Sequence, residues 1–553
     1  MKGDVHKHPL LFTTYVVLRA LVLLVLVLEA VKGRLLQRVS LRADPGTVYD
    51  PTFVEHRLHI DVPNTLEIII LLFIFSAEIL GEIQEYYLLF PFWDTMLHTI
   101  NGFLMAAIGS AVGLGNMWGF PYKLGMNGGF AFLILYLLLA VFAGYILTMT
   151  ELALGRYTGQ STVLAYKSIR KQYAFVGWLG MLSPFLILGF YSYLGGYCIK
   201  YMLANLGDVF GASWGVGGVD GAAYFSNLTA DTTQSIIYTL VFLLITIVIV
   251  SYGIEEGIER FSKIAMPALF VMLLLVIARS VTLPGASAGI AFLFKPNFEV
   301  FHGTGWISVL SAAGGQMFLS LSIGMGITIT YGSHLAKDAN IERSSLIIPL
   351  ADTVIAVLAG LAIMPAVFAS GQSPQGGVGL LYMTLQTVFN GMGGIGPFIG
   401  FIFYGLVVIA ALTSSVAILE AIAGSFIDDA MNKGKGDKRK FYCWFFGILS
   451  AVLGSLIAYD GLGQNLPAMF GKFCWVDGFD LLAEGIMMPL GSLFATFFFG
   501  WIDREILPKE IHQGSNFKTE KFYRFCIRWI APVFTFFVLL GQLDSFFGFG
   551  WFS

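Results

Sequence analysis

The sequence predicts an all-α polytopic membrane protein. Its core is about eleven transmembrane helices, arranged as a 5+5 inverted repeat with broken first and sixth helices and preceded by two extra N-terminal helices. Three observations carry this reading. The 553-residue chain is 57% hydrophobic and only 12% charged, with a mean hydropathy of +0.77, far too apolar for a soluble globule. Its apolar residues gather into runs of about 20, the length that crosses a bilayer. Two of those runs are interrupted by glycines at mid-membrane depth, at 109–116 (GSAVGLGN) and 320–326 (SLSIGMG). Matched breaks at equivalent positions of two oppositely directed halves mark an inverted repeat.

Residues 1–97 stand apart. Apolar runs at 9–31 and 64–82 form two spans, and the connection between them holds Lys32, Arg34, Arg38, Arg42 and Arg57. Basic loops stay cytoplasmic, yet two added spans preserve the orientation of the next helix only if their connection lies outside. The segment reads as an extra N-terminal membrane piece: either its connection is translocated against the rule, or it is foreign to the body that follows, joined by gene fusion or misassembly. A cleaved signal peptide is disfavoured, because the run from Leu10 is long and no small-residue cleavage site follows it.

The body, 98–553, has spans near 98–122, 128–154, 175–203, 233–253, 264–283, 308–334, 346–370, 397–428, 441–459, 480–503 and 521–543. Basic residues fix its orientation. Arg156, Lys167, Arg170 and Lys171 follow the second span, Arg260 and Lys263 the fourth, and Lys337 and Arg343 the sixth. Lys433 through Lys440 follow the eighth, and Arg504 through Arg528 the tenth. These loops are cytoplasmic, whereas 204–232 carries Asp208, Asp220 and Asp231 without Lys or Arg. The chain is thus expected in the cell (inner or plasma) membrane, surrounded by lipid bilayer, with its C-terminus outside.

Glycine costs a helix about 1 kcal/mol relative to alanine, and an opened turn in lipid leaves backbone groups unpaired. Such breaks persist where an ion or substrate satisfies those groups. Unwound carbonyls suit a cation, and half-helix N-termini suit a carboxylate. At the first break Gly109, Ala111 and Val112 offer carbonyls and Asn116 an amide oxygen. A glycine-packed helix contact is the alternative, although it needs no asparagine. In the eighth span Ala410, Thr413 and Ser414 share one helical face, presenting neutral oxygens suited to sodium; hydroxyls bonded back to their own helix explain the same pattern.

Asp352 lies in an apolar run without Lys or Arg from Leu346 to Pro365. At a bilayer centre it costs roughly 2.5 to 3.5 kcal/mol, so a partner is expected, and a bound cation is the economical one. A position at the cytoplasmic interface is the other reading. Tyr191 offers a hydroxyl for a carboxylate or simply packs. Glu151 and Glu420 read as structural hydrogen-bonding acids. Cys198, Cys443, Cys474 and Cys526 show no CxxC spacing and read as core thiols. No nucleophile–base pair or metal-ligand cluster points to an enzyme, and nothing points to nucleic acid.

From about Leu104 onward the sequence resembles the neurotransmitter:sodium symporters, specifically their bacterial amino-acid transporters. The matching stretches are GSAVGLGNMWGFPY at 109–122, NGGFAF at 127–132, ELALGR at 151–156, Gln316 through Tyr331, and ALTSSVAI at 411–418. The resemblance implies a LeuT-type fold and two sodium sites. One would comprise Ala111, Asn116, Ser320, Asp352 and the substrate carboxylate, the other Gly109, Val112, Ala410, Thr413 and Ser414. The carboxylate would meet Tyr191 and the backbone of Leu114 and Gly115. Ile187, Leu319, Ser320, Ser322, Met325, Ser414 and Ile418 would complete a pocket for a hydrophobic L-amino acid. Asp352 would supply the fixed negative charge that chloride provides elsewhere in the family, implying chloride independence. Two sodium ions crossing 100 mV carry about 4.6 kcal/mol, enough for roughly thousandfold accumulation.

The chain also departs from the family. Gly119 stands where the outer-gate arginine is usual; its acid is retained as Asp480, and Lys123 is a candidate substitute. The inner-gate arginine is missing, leaving Asp428 as the acid that would have met it. Two alternatives follow: a transport-impaired fusion that binds sodium and amino acid without effective cycling, and a sodium-independent permease of the same fold. A homodimer is left open.

Overall fold

The computed structural model describes residues 113–252, 258–302 and 304–552. The extra segment 1–97 with its two spans, the boundary at 97/98, and Gly109, Ala111 and Val112 lie outside the described residues. Among those described, every element is helical apart from one isolated bridge between Met469 and Phe473.

A π-turn, Gly115–Gly119, runs into α1 (Phe120–Met126). The chain reverses through Gly128 and Gly129, both at positive φ (78° and 59°), a conformation glycine adopts without a Cβ clash. α2 (Phe130–Thr158) follows and stops at Gly159, a left-handed C-terminal glycine. α3 (Ala174–Val209) and α4 (Thr232–Ser251) come next, α4 capped by Asp231 on the Gln234 N–H. α5 is Ile258–Val281. α6 is in two pieces, α6a (Gly305–Ser320) and α6b (Ile327–Ser333). α7 (Ile341–Ala369), α8 (Gly396–Asn432), α9 (Arg439–Asp460), α10 (Trp475–Ile502) and α11 (Glu520–Phe547) complete the bundle.

Eight helices among the described residues are long and apolar enough to cross a membrane, or nine if Ala268–Val281 and Ala286–Phe301, bent by 116°, form one span. The sequence-predicted sixth span falls outside that set because it is in two pieces, and most of the first lies outside the described residues. Short helices that the span prediction does not contain fill the connections, at Thr162–Ile169, Gly221–Ala230, Leu380–Asn390 and Ile506–Gly514.

The core is laid around α3 and α8, which pack along one another, with α2 against α6b and α7 against α5. The outer face of α9 exposes Phe441, Trp444, Phe445, Ile448, Val452 and Leu456. Their spacing of three and four residues makes one apolar stripe, which suits hydrocarbon rather than water.

The connection between α10 and α11 is fastened at two places. Asp503 accepts from Arg170 (2.7 and 2.9 Å) and the Tyr173 hydroxyl (2.9 Å). The buried Glu510 accepts from Arg156 (2.9 Å) and Lys337 (3.2 Å). Beside the latter, the Arg524 guanidinium holds the Glu505 carboxyl below the usual range.

Candidate functional site

The break in α6 is a helix end followed at once by a helix start. Ile323 N–H bonds to Phe318 O (3.0 Å) and Ser322 N–H to Leu319 O (3.3 Å), the pattern of a Schellman cap. Ser322 takes the left-handed position usually held by glycine, at φ 56°. Gly324 (75°) and Gly326 (69°) turn the chain into α6b. Side chains from elsewhere satisfy the opened backbone: Glu151 accepts from Gly324 N–H (2.7 Å), Thr162 donates to Gly326 O (2.9 Å) and Ser183 to Gly324 O (3.2 Å). Glu151 and Glu420, the latter bound by both terminal nitrogens of Arg439 (2.6 and 2.9 Å), are thus tied into the helix framework.

Before α1 the chain is opened in another way. Asn116 and Met117 both donate to Gly113 O, and Gly115 O receives both the Phe120 N–H across the π-turn and the Gln316 side chain (3.0 Å). A π-turn leaves backbone groups free for other partners and recurs at functional positions. Leu114 N–H donates to the Tyr191 hydroxyl (3.2 Å).

Between these openings lies a small hollow lined by Gly113, Gly115, Ile187, Tyr191, Leu319, Ser320, Ser322, Met325, Ser414 and Ile418. Nine of the ten expected substrate residues line it. Leu114 does not; it is fully buried and reaches the site through its backbone. Gly113 joins the lining unforeseen, since a Cβ there would lie 2.1 Å from Ser414 Oγ and 3.1 Å from the Tyr191 hydroxyl. A larger hollow at Ser251, Tyr252 and 437–441 opens widely to the surface and gathers no comparable set of groups.

Asp352 is completely buried, which overturns the interfacial reading. Oδ1 accepts from Asn116 Nδ2 (2.8 Å) and Ser320 Oγ (2.7 Å), Oδ2 from the Tyr136 hydroxyl (2.9 Å), and its backbone carbonyl from Asn116 (2.9 Å). Ser320 Oγ also contacts Asn116 Oδ1 (2.8 Å). Four elements meet on one carboxylate, and among the described residues no Lys or Arg pairs with it. Tyr136 was not foreseen, although it is the sole hydrogen-bonding side chain in Phe130–Leu139.

On α8, Thr413 Oγ1 and Ser414 Oγ both bond to Ala410 O (2.9 and 3.2 Å). The three residues converge as expected, with back-bonding present as well. The residues expected opposite them, Gly109 and Val112, and likewise Ala111, lie outside the described residues.

The candidate gate residues have the following partners. Lys123 pairs with Glu484, one helical turn beyond Asp480. The reason is packing. A Cβ at Gly119 would stand 2.8 Å from Gln316 Oε1, and one at Gly315 would stand 2.3 Å from Glu484 Oε1, so the two glycines admit Gln316 and Glu484 to the helix interface. Glu484 could have been suspected from its position four residues after Asp480. Asp428 accepts from Ser161 N–H (2.7 Å), the residue that begins helix Thr162–Ile169; this bond closes a helix end.

Comparisons with known proteins agree with this geometry. The profile of the sodium:neurotransmitter symporter family matches residues 95–215 and 227–549. An uncharacterized sodium-dependent transporter of Bacillus subtilis, YhdH, is 36% identical over 80% of this chain and 96% of its own. One from Haemophilus influenzae is 32% identical over 80% and 96%. The crystal structure of MhsT in complex with L-phenylalanine aligns with a TM-score of 0.73 at 33% identity, covering 80% of this chain and 98% of that one.

Proposed function

The chain belongs to the sodium:neurotransmitter symporter family, and from that membership we propose that it imports a hydrophobic L-amino acid with sodium by alternating access, without chloride. It is a sodium-dependent membrane transporter and not an enzyme. In this proposal one sodium is held by Ala111, Asn116, Ser320, Asp352 and the substrate carboxylate. The other is held by Gly109, Val112, Ala410, Thr413 and Ser414. The carboxylate meets Tyr191 and the Leu114–Gly115 backbone. The protein sits in the cell membrane with its C-terminus outside, which makes the Lys123–Glu484 pair the outer side of the cavity.

One observation carries the reading: a buried carboxylate, Asp352, bonded by Asn116 and Ser320 beside the hollow between the helix openings. An isolated charge in such a place needs a counter-charge, and sodium supplies it. The same carboxylate is a fixed negative charge, so no mobile anion is required. Ile187, Leu319, Met325 and Ile418 give the cavity an apolar wall, and the phenylalanine bound to MhsT favours the same class of cargo. Lys123–Glu484 supplies an outer ion pair despite Gly119, which weighs against the transport-impaired alternative.

The test is uptake of radiolabelled leucine and phenylalanine into proteoliposomes. Uptake should vanish when potassium replaces sodium and persist when gluconate replaces chloride. Uptake in potassium would indicate a sodium-independent permease; sodium-dependent binding without uptake would indicate impaired cycling.

A further inference from the structure

The outer ion pair leaves charge unaccounted for. Lys123 contacts Oε1 of Glu484, whereas Oε2, on a residue only 2% exposed, has no hydrogen-bond partner. Asp480 faces the same carboxyl group within bonding reach, and its own Oδ1 is buried without a partner. Two acceptor-only groups in contact cannot bond to each other unless one carries hydrogen. The slot that holds Glu484 is built for it. Gly315 on α6a has no Cβ where one would collide with Oε1, and Gln542 of α11 gives one of its amide hydrogens to Ser311 O (2.9 Å).

α1 contributes Lys123 and Tyr122; α10 contributes Asp477, with Cys474 just before it; α6a contributes the neutral Gln316, whose Oε1 is a further orphan acceptor. Among these described groups a single cation faces three acids. Resting on the transporter reading above, we propose that Asp480 and Glu484 bind one proton between them when α1 and α10 are closed together, so that the outer lid takes up a hydrogen ion besides forming the Lys123 ion pair.

The chemistry balances simply. Water delivers a proton to one carboxylate as the lid shuts, and the resulting O–H donates to the other, satisfying the orphan oxygens with a charge-assisted bond. Opening separates α1 from α10, wets both acids and returns the proton to water. Closure is therefore favoured at low external pH and falls by up to tenfold per pH unit where the closed lid holds the proton and the separated acids do not, the slope for one linked proton.

Two measurements test this. Infrared difference spectra between the purified protein and its Asp480→Asn and Glu484→Gln variants should show a protonated-carboxyl band, shifted in deuterated water, that both variants lose and Asp477→Asn retains. Dissociation of prebound radiolabelled phenylalanine in sodium should accelerate with rising external pH, and Asp480→Asn should flatten that slope; Asp480→Glu, which keeps the carboxyl, should restore both signals if the amide variant folds poorly. A band untouched by either variant, or an unchanged slope in both, overturns the proposal. Failure of phenylalanine to bind would count against the proposed substrate instead, because the infrared result needs no substrate.

Discussion

The two proposed sodium pockets differ in how their oxygens are satisfied. Around Asp352 the donors come from other elements: Asn116 ahead of α1, Ser320 on α6a and Tyr136 on α2. On α8, Thr413 and Ser414 both bond to a carbonyl of their own helix, and Ser414 also meets the Tyr191 hydroxyl of α3. A buried carboxylate stripped of its donors is costly, so the first pocket has to stay assembled whether or not an ion is there. Hydroxyls bonded to their own backbone retain that bond when neighbouring helices move. The charged pocket is suited to anchoring, and the neutral one to release.

The sharpest way to break this contrast is Asp352→Ala, which leaves Asn116, Ser320 and Tyr136 with no common acceptor. A loss of about 3 kcal/mol is expected, roughly 100-fold in sodium-dependent phenylalanine binding measured by scintillation proximity. A loss below tenfold would make the two pockets alike. Thr413→Val probes the other side. It removes one neutral oxygen worth about 1 kcal/mol, so apparent sodium affinity in uptake assays should weaken about fivefold while the thermal unfolding midpoint holds. The smallest effect is expected between the pockets. Ser322→Gly relieves a left-handed serine and should stabilise the protein by about 1 kcal/mol, read as a raised unfolding midpoint, with sodium affinity changed by less than twofold.

Where the helices open was legible from residue order, because Gly324 and Gly326 announce a local conformation that other residues resist. The cavity wall, with Ile187, Tyr191, Ser414 and Ile418, was legible through the family resemblance and not through spacing alone. The family resemblance supplied the remaining register. Partners were harder to read. Nothing near Asp480 says that Lys123 will choose Glu484 instead, since that depends on the space left by Gly119 and Gly315 on two other helices. Tyr136 was hidden likewise, its hydroxyl meaningful only once α2 lies against α7. The short helix Ile506–Gly514 was overlooked because a search for membrane-length runs passes over amphipathic segments of nine residues.

That last segment has a mechanical consequence. Asp503 is bonded to Arg170 and Tyr173 before α3, and Glu510, seven positions later, to Arg156 at the foot of α2 and Lys337 after α6b. If those two groups shift against each other during a transport cycle while both fastenings hold, the displacement has nowhere to go except the few residues between them. The stretch is a built-in strain gauge, and a pair of fluorophores across it would report each stroke without touching the ion pockets.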